Sequence, residues 1–151
     1  MESRDRDEHL SKEYLRLQQV VEDFDGKALT VKAWSVTLSA AGIVTAYSQG
    51  KASILIISAA SALIFWLVEA MWKSSQQAYY RRIGEIEGYF RDGADIAPYQ
   101  IAASWTKSWN EHHRTWIAFR IMAWPHVFLP HVVVAIAAAV LFLAMPPVPG
   151  K

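Results

Sequence analysis

The sequence contains no cysteine. This absence excludes disulfide bonds, thiolate catalysis, iron–sulfur clusters and zinc sites built on thiolates. The chain also lacks a large net charge, since its formal charge is only +1. Nothing in its charge therefore points to nucleic acid as a partner. Phosphate-binding loops, nucleophile elbows and HExxH zinc motifs do not occur. We therefore expect a protein without catalytic activity and without a cofactor.

Charged residues are missing from three long segments. Residues 33–48 and 127–149 carry none, and residues 52–72 carry only Glu69. A helix needs about 20 mainly apolar residues to cross a bilayer. We predict an all-α integral membrane protein with transmembrane helices at 30–49, 52–72 and 126–146. The first 25 residues carry eight acidic groups and no apolar run, so we expect no cleaved signal peptide.

Heptad spacing continues on both sides of a Gln49-Gly50-Lys51 turn. The first arm carries Leu10, Tyr14, Leu17, Val21, Phe24, Ala28 and Val31. At matching distances from Gly50, the second arm carries Phe90, Ile86, Ile83, Tyr79, Gln76, Trp72 and Glu69. This pattern predicts an antiparallel helical hairpin about Gly50. Cytoplasmic extensions at 7–32 and 73–92 would form a stalk, and the whole chain, 1–151, would be a single membrane domain.

Gly26 lies either within the first helix or just beyond the end of a shorter one. Glycine commonly follows a helix C-terminus, so a separate amphipathic helix could end at Asp25. The heptad spacing passes through Gly26 without a shift, and we therefore favour one continuous helix. Gly84 and Gly88 each cost about 1 kcal/mol relative to alanine within a helix. We expect another helix to pack closely against them.

An amphipathic, Trp-rich helix is predicted at 98–124. Its aromatic face includes Trp105, Trp109 and Trp116. This helix could pack into the stalk, or it could lie flat at the membrane interface, where tryptophan is favoured. The heptad spacing and the need to cover Gly84 and Gly88 favour the stalk.

Lysine and arginine are concentrated on one side of the predicted spans. Six precede the first span, namely Arg4, Arg6, Lys12, Arg16, Lys27 and Lys32. Seven lie between the second and third, namely Lys73, Arg81, Arg82, Arg91, Lys107, Arg114 and Arg120. By the positive-inside rule, the N-terminus is cytoplasmic, whereas the Gly50 turn and the C-terminus lie outside. The predicted location is a bacterial-type inner membrane.

Glu69 is the only ionisable residue deep within a predicted span, which makes it a candidate functional residue. The symmetry about Gly50 places Glu69 opposite Lys32, and Lys73 follows one turn later on the same helix. We favour an intramembrane ion pair of Glu69 with Lys32 and Lys73 that locks the hairpin. The alternative is a role in proton or ion handling.

Small residues share one face of the first span, namely Ser35, Ser39, Gly42 and Ala46. Such residues allow helices to approach closely, and a polar face of this kind could also line a water-filled pore. The third span has no polar group after His131, so we expect it to face lipid.

The histidines are weak candidates for a metal or haem site. His126 and His131 lie about 140° apart around a helix, so on one regular helix they cannot both contribute to the same ligand site. The Glu111-His112-His113 run also places neighbours on different faces, so we favour packing roles. The Tyr79-Tyr80-Arg81-Arg82 cluster could bind a phospholipid headgroup or a nucleotide, although a solvated helix face explains it equally well.

Three functions are open. We favour a homo-oligomeric, pore-like or membrane-perturbing assembly in the lipid bilayer. The second is an accessory or scaffold subunit that binds another membrane protein, and the third is a haem- or metal-binding membrane protein. In layout only, the hairpin resembles the small two-span effector modules of bacterial defence systems. The third span departs from that layout, and no residue role is taken from the likeness.

Overall fold

The computed structural model describes the backbone of residues 3–112 and 116–148 and the side chains of residues 4–111 and 119–148. Throughout these residues the regular structure is entirely helical. The helices are α1 (Ser3–Gln49), α2 (Ser53–Asp92), α3 (Ile101–His112), α4 (Trp116–Met122) and α5 (Pro125–Ala144). The predicted all-α class is confirmed.

Helices α1, α2 and α5 are long and apolar enough to cross a membrane. Three helices of this kind were predicted, and three are found among the described residues. Large apolar side chains on them are exposed, including Ile64, Ile136 and Leu143. Exposed apolar side chains over such lengths are typical of helices that contact lipid.

The connection from α1 to α2 is a tight turn at Gly50. Gly50 has a φ of +63°, in the left-handed region that favours glycine. The Lys51 N–H donates to the Ala46 carbonyl at 2.9 Å, and the Gly50 N–H donates to Tyr47 at 3.3 Å. These bonds satisfy carbonyl groups at the end of α1 that would otherwise have no partner.

The chain divides into two compact units. The first unit comprises Met1–Lys27 and Trp72–Ala118, and the second comprises Ala28–Met71 and Phe119–Lys151. Helices α1 and α2 contribute residues to both units. The predicted stalk concerns the arrangement of the whole chain and stays a prediction.

The core of the first unit consists of heptad residues of α1 and α2, namely Leu10, Leu17, Val21, Ile83 and Ile86. Two polar contacts pair earlier residues of α1 with later residues of α2. Glu13 accepts hydrogen bonds from Arg82 at 2.8 and 3.1 Å, and the Val21 carbonyl accepts one from Gln76 at 2.9 Å. Each buried aliphatic side chain contributes about 1.5–3 kcal/mol of transfer free energy.

The Trp-rich segment, predicted as one helix at 98–124, contains α3 and α4, and residues 113–115 between them lie outside the described residues. In the first unit, α3 packs against α2. The Trp105 Nε1–H donates to the Ser75 carbonyl at 3.2 Å, and the Trp105 ring lies 6.2 Å from that of Tyr79. The choice between a stalk position and a membrane-interface position for this segment stays a prediction.

In the second unit, α1, α2 and α5 contact one another. The Ser39 hydroxyl donates to the Ser58 carbonyl at 3.2 Å, which joins α1 to α2. The Tyr47 hydroxyl donates to the Met145 carbonyl at 2.6 Å, just beyond α5. The Trp66 indole donates to the Met122 carbonyl at 3.0 Å, at the end of α4. The hydroxyls of Ser39 and Tyr47 and the Trp66 indole therefore help to hold these helices together.

Candidate functional site

A polar network inside the second unit joins side chains from three helices. Lys32 Nζ on α1 lies 2.5 Å from Glu69 Oε1 on α2. The other carboxylate oxygen, Oε2, lies 2.9 Å from His131 Nε2 on α5. His131 Nδ1 lies 2.7 Å from Ser35 Oγ, which returns the network to α1. We refer to Lys32, Ser35, Glu69 and His131 as the buried network.

Helix periodicity explains why these four side chains converge. Lys32 and Ser35 are three residues apart on α1, so they share a face. On α5 the buried residues are Val127, His131 and Ala138, spaced by four and seven residues along one stripe. His131 is therefore part of the packing face of α5. A packing role for His131 was favoured from the sequence, but α5 was expected to face lipid, and His131 was not placed beside Glu69 and Ser35.

Burial of the network is almost complete. Ser35, Glu69 and His131 have no exposed surface, and only the Lys32 side chain is partly accessible, at 19%. Buried ions are tolerated when they are paired and hydrogen-bonded. Both oxygens of Glu69 and both ring nitrogens of His131 have a partner here. The lysine and the carboxylate also cancel each other's charge, so the network is neutral when the imidazole is neutral.

The neutral imidazole fits its two partners. With Glu69 ionised and His131 neutral, Nε2 would carry the proton and donate to the carboxylate, and Nδ1 would accept from the Ser35 hydroxyl. Every group in the chain of contacts consequently has a suitable donor or acceptor.

Lys73 does not join the network. Its ammonium contacts the Asp25 carboxylate and lies 3.0 Å from Gln76 Oε1, both in the first unit. The predicted pairing of Lys73 with Glu69 is replaced by these contacts. Lys32 and His131 already occupy both Glu69 oxygens, and the Asp25 carboxylate is positioned by the Gln76 amide at 3.0 Å.

The small-residue face of α1 is occupied within the second unit. Ser35, Ser39 and Ala46 have no exposed surface. A Cβ added at Gly42 would lie 2.1 Å from Ser58 Oγ, which shows how closely α2 approaches. Of the two roles predicted for this face, these contacts favour helix packing over the lining of a pore.

Gly84 and Gly88 have open space around them. No described atom outside their own helix backbone lies within 4 Å of a Cβ placed at either residue, and the same is true of Gly26. The expected close packing against Gly84 and Gly88 is therefore not found among the described residues. Their exposure arises because the core of the first unit lies on the face of α2 that carries Ile83 and Ile86.

Aromatic side chains of α3 pack on one another and on α2. Trp105 stacks on Trp109, with ring centroids 5.0 Å apart and an interplanar angle of 15°. The side chains of Trp116, His112 and His113 lie outside the described residues. The structure therefore gives no placement for these three candidates.

The remaining candidates are His126 and the Tyr79–Arg82 cluster. His126 is exposed and lies beside Trp124, with ring centroids 5.4 Å apart. Among the described residues, no group of three histidine, cysteine or acidic side chains could hold a metal ion. In the Tyr79–Arg82 cluster, Arg81 pairs with Glu85 and Glu111, and Arg82 pairs with Glu13 and Glu85. Both guanidinium groups thus have carboxylate partners within the first unit.

The order serine, histidine and carboxylate also occurs in hydrolytic triads. In the usual triad the histidine contacts serine through Nε2 and the carboxylate through Nδ1, whereas His131 uses the opposite nitrogens. Ser35 has no exposed surface, so a substrate carbonyl has no access to its hydroxyl. The geometry therefore favours helix packing over acyl transfer.

No protein-family model matches the chain, and no curated protein or solved structure matches it either. The function is consequently argued from the geometry of the buried network.

Proposed function

We propose that the protein is a non-catalytic, three-span membrane protein whose helix packing responds to protonation of the buried network. Support for the membrane location comes from the three apolar helices and the exposed apolar side chains on them. Support for an antiparallel hairpin comes from contacts such as Glu13 to Arg82 and Lys32 to Glu69. As the residue number increases along α1, the number of its partner in α2 decreases.

The proposed orientation has the N-terminus in the cytoplasm of a bacterial-type cell. Lysines and arginines precede the first apolar segment or lie between the second and third, and such residues are enriched in cytoplasmic loops. The Gly50 turn and the C-terminal segment would then lie outside. In this orientation Lys32 is at the cytoplasmic end of the first span.

The contact of His131 with both Ser35 and Glu69 carries the proposal. Imidazole is the side chain that ordinarily changes its charge between pH 5 and 8. Protonation of Nδ1 would convert His131 from an acceptor into a second donor, so the hydrogen of the Ser35 hydroxyl would have to turn away and the oxygen would accept instead. It would also change the network from neutral to a net positive charge, which is costly in an apolar environment. Acidification is therefore expected to loosen α5 from α1 and α2.

Within the second unit, the network is exposed at one end only, at Lys32. Lys32 is partly exposed, whereas Glu69, His131 and Ser35 are fully buried. Beyond Ser35, away from Lys32, the hydroxyls of Ser39 and Ser58 donate to backbone carbonyls, which do not pass protons onward. Such a one-ended network binds and releases a proton on the same side. It supports a proton-responsive switch in preference to a proton-conducting path.

The proposal is tested by measuring the distance between α1 and α5 at two pH values. Because the natural chain has no cysteine, spin labels on Ser48→Cys and Ala144→Cys report this distance without further changes. In lipid nanodiscs, the distance distribution should shift or broaden when the pH is lowered from about 7.5 to about 5. His131→Asn retains hydrogen-bonding capacity without titrating, and it should abolish the response.

His126→Asn is the matched control, because His126 is an exposed histidine on the same helix and has no contact with the network. This variant should respond to pH as the unsubstituted chain does. An unchanged distance in the unsubstituted chain, or a full response in His131→Asn, would overturn the proposal.

A further inference from the structure

An apolar cleft lies between α1 and α2 in the first unit. It has a volume of about 540 Å³ and is lined by Ser11, Tyr14, Leu15, Glu87, Phe90 and Arg91. The side chains of Leu15 and Phe90 are large and apolar, yet 68% and 52% of their surfaces are exposed. Neither belongs to the core of the unit. A surface of this kind is typical of an interaction site.

The position of the cleft makes lipid an unsuitable cover. Leu15 precedes the uncharged segment at 33–48, and Phe90 follows the apolar segment at 52–72. The cleft also carries the charges of Glu87 and Arg91, and the Arg91 side chain is 73% exposed. Placing these two charges in hydrocarbon would be unfavourable. A protein surface with matching charges is the more suitable partner.

The two charges make the cleft complementary to itself. Glu87 and Arg91 are four residues apart on α2 and so lie on one face, one turn from each other. In a two-fold contact, residue i of one copy meets residue j of the other, and j meets i. Glu87 of each copy would therefore meet Arg91 of the other, while a patch of one sign would repel its own copy. The Arg91 contact with Asp92 is exposed on both sides, so water can replace it readily.

We infer that the cleft binds the same cleft of a second copy of this chain, forming a two-fold dimer. Leu15 and Phe90 of the two copies pack at the centre, and two Glu87–Arg91 ion pairs flank them. The Tyr14 hydroxyl lies 3.1 Å from Glu87 Oε1, where it positions the carboxylate. This inference concerns the first unit and does not depend on the proton response of the second.

Reversing the charges at Glu87 and Arg91 tests the inference directly. The full chain is purified in detergent, and its dimer dissociation constant is measured by sedimentation equilibrium. Glu87→Arg or Arg91→Glu alone places like charges opposite each other twice, and each should weaken the dimer by about tenfold or more. The double variant, Glu87→Arg with Arg91→Glu, restores opposite charges and should return the constant to its original value.

Two further variants distinguish the role of the cleft from the effect of a charge reversal elsewhere on the surface. Leu15→Ser should weaken the dimer without unfolding the unit, because this side chain is exposed. Glu22→Arg makes the same charge reversal at an exposed residue of α1 outside the cleft and should leave the constant unchanged. A monomer at all concentrations, binding only to a different protein, or failure of the double variant to restore dimerisation would overturn the inference.

Discussion

At the scale of single residues, His131 connects α5 to two other helices. Its two ring nitrogens contact Ser35 of α1 and Glu69 of α2, and all three residues are fully buried. Hydrogen bonds between buried partners contribute about 0.5–1.5 kcal/mol each, and more when one partner is charged. Removing one partner costs more, because a buried polar group is then left unsatisfied.

Glu69→Gln is expected to destabilise the protein strongly. The substitution leaves the Lys32 ammonium beside a neutral amide, and breaking a buried ion pair costs about 3–5 kcal/mol. The free energy of unfolding is measured in mixed micelles with increasing dodecyl sulfate. The double variant Lys32→Met with Glu69→Gln should recover most of the loss, because it removes both charges. A single variant as stable as the natural chain would show that the pair contributes little.

Glu85 is expected to make the first unit sensitive to acid. It lies beyond the apolar segment at 52–72, and burial acts to raise its pKa, but hydrogen bonds from Arg81, Arg82 and Ser104 outweigh burial and lower the pKa below its usual value of 4.5. The folded state therefore binds fewer protons than the unfolded state. The resulting stabilisation is present above about pH 4.5 and is lost as the pH falls through the lowered value.

Glu85→Gln should therefore reduce the dependence of unfolding free energy on pH in this acidic range. The measurement is denaturant unfolding at a series of pH values, followed by far-ultraviolet circular dichroism. Glu22→Gln, at an exposed position of α1, is the control and should leave the pH dependence unchanged. An equal pH dependence in Glu85→Gln and the natural chain would contradict the assignment.

The residue pattern predicted part of the buried network. Lys32 and Glu69 are equidistant, within one residue, from Gly50, so heptad symmetry alone placed them together. Lys73 was assigned to the same carboxylate because it is one turn away, but Asp25 and Gln76 hold its ammonium. His131 was missed as a network member, because the rotation of α5 about its axis depends on tertiary packing and does not follow from hairpin symmetry.

At the scale of helices, two glycines inside helices, Gly42 and Gly84, have different surroundings. Gly42 lies against Ser58, whereas Gly84 is surrounded by open space among the described residues. Both glycines are within helices, so an added methyl group improves helix propensity equally at the two positions. The difference between them measures packing alone.

Gly42→Ala is expected to destabilise the second unit by about 1–3 kcal/mol, because the new methyl group would overlap Ser58 Oγ. Gly84→Ala is the matched control and should stabilise the protein by about 0.5–1 kcal/mol. Both values are read from the same dodecyl sulfate unfolding assay. Adding Ser58→Ala to Gly42→Ala should recover stability, since it removes the overlapping oxygen. If Gly42→Ala proved as stable as Gly84→Ala, the close approach would be rejected.

The extents of the long helices followed from sequence, whereas the faces they use did not. Uncharged segments and heptad spacing are local properties, so they located α1, α2 and α5. Gly84 and Gly88 satisfied the local rule for a close helix approach, but the core uses the face with Ile83 and Ile86. Burial of a face depends on which helices are neighbours, and that information is not local.

At the scale of the whole molecule, the proposed topology predicts which residues are accessible from outside the cell. The absence of cysteine allows one introduced thiol to be labelled at a time. In intact bacterial cells, a membrane-impermeant maleimide should label Ser53→Cys near the Gly50 turn but not Glu22→Cys, at an exposed residue of α1 outside the cleft. After the cells are opened, both should react. Labelling of Glu22→Cys in intact cells would reverse the proposed orientation.

The division into two units also constrains how the chain is made. The first unit needs residues 1–27 together with residues 72–118, and the whole of Ala28–Met71 is translated between them. At about 5–20 residues per second, the ribosome takes on the order of several seconds to supply Ile83 and Ile86 as partners for Leu10 and Leu17. During that interval the amphipathic start of α1 has no core to join. A chaperone or the membrane surface can hold this segment until the second helix emerges, so biosynthesis of this protein should be sensitive to the order and pace of insertion.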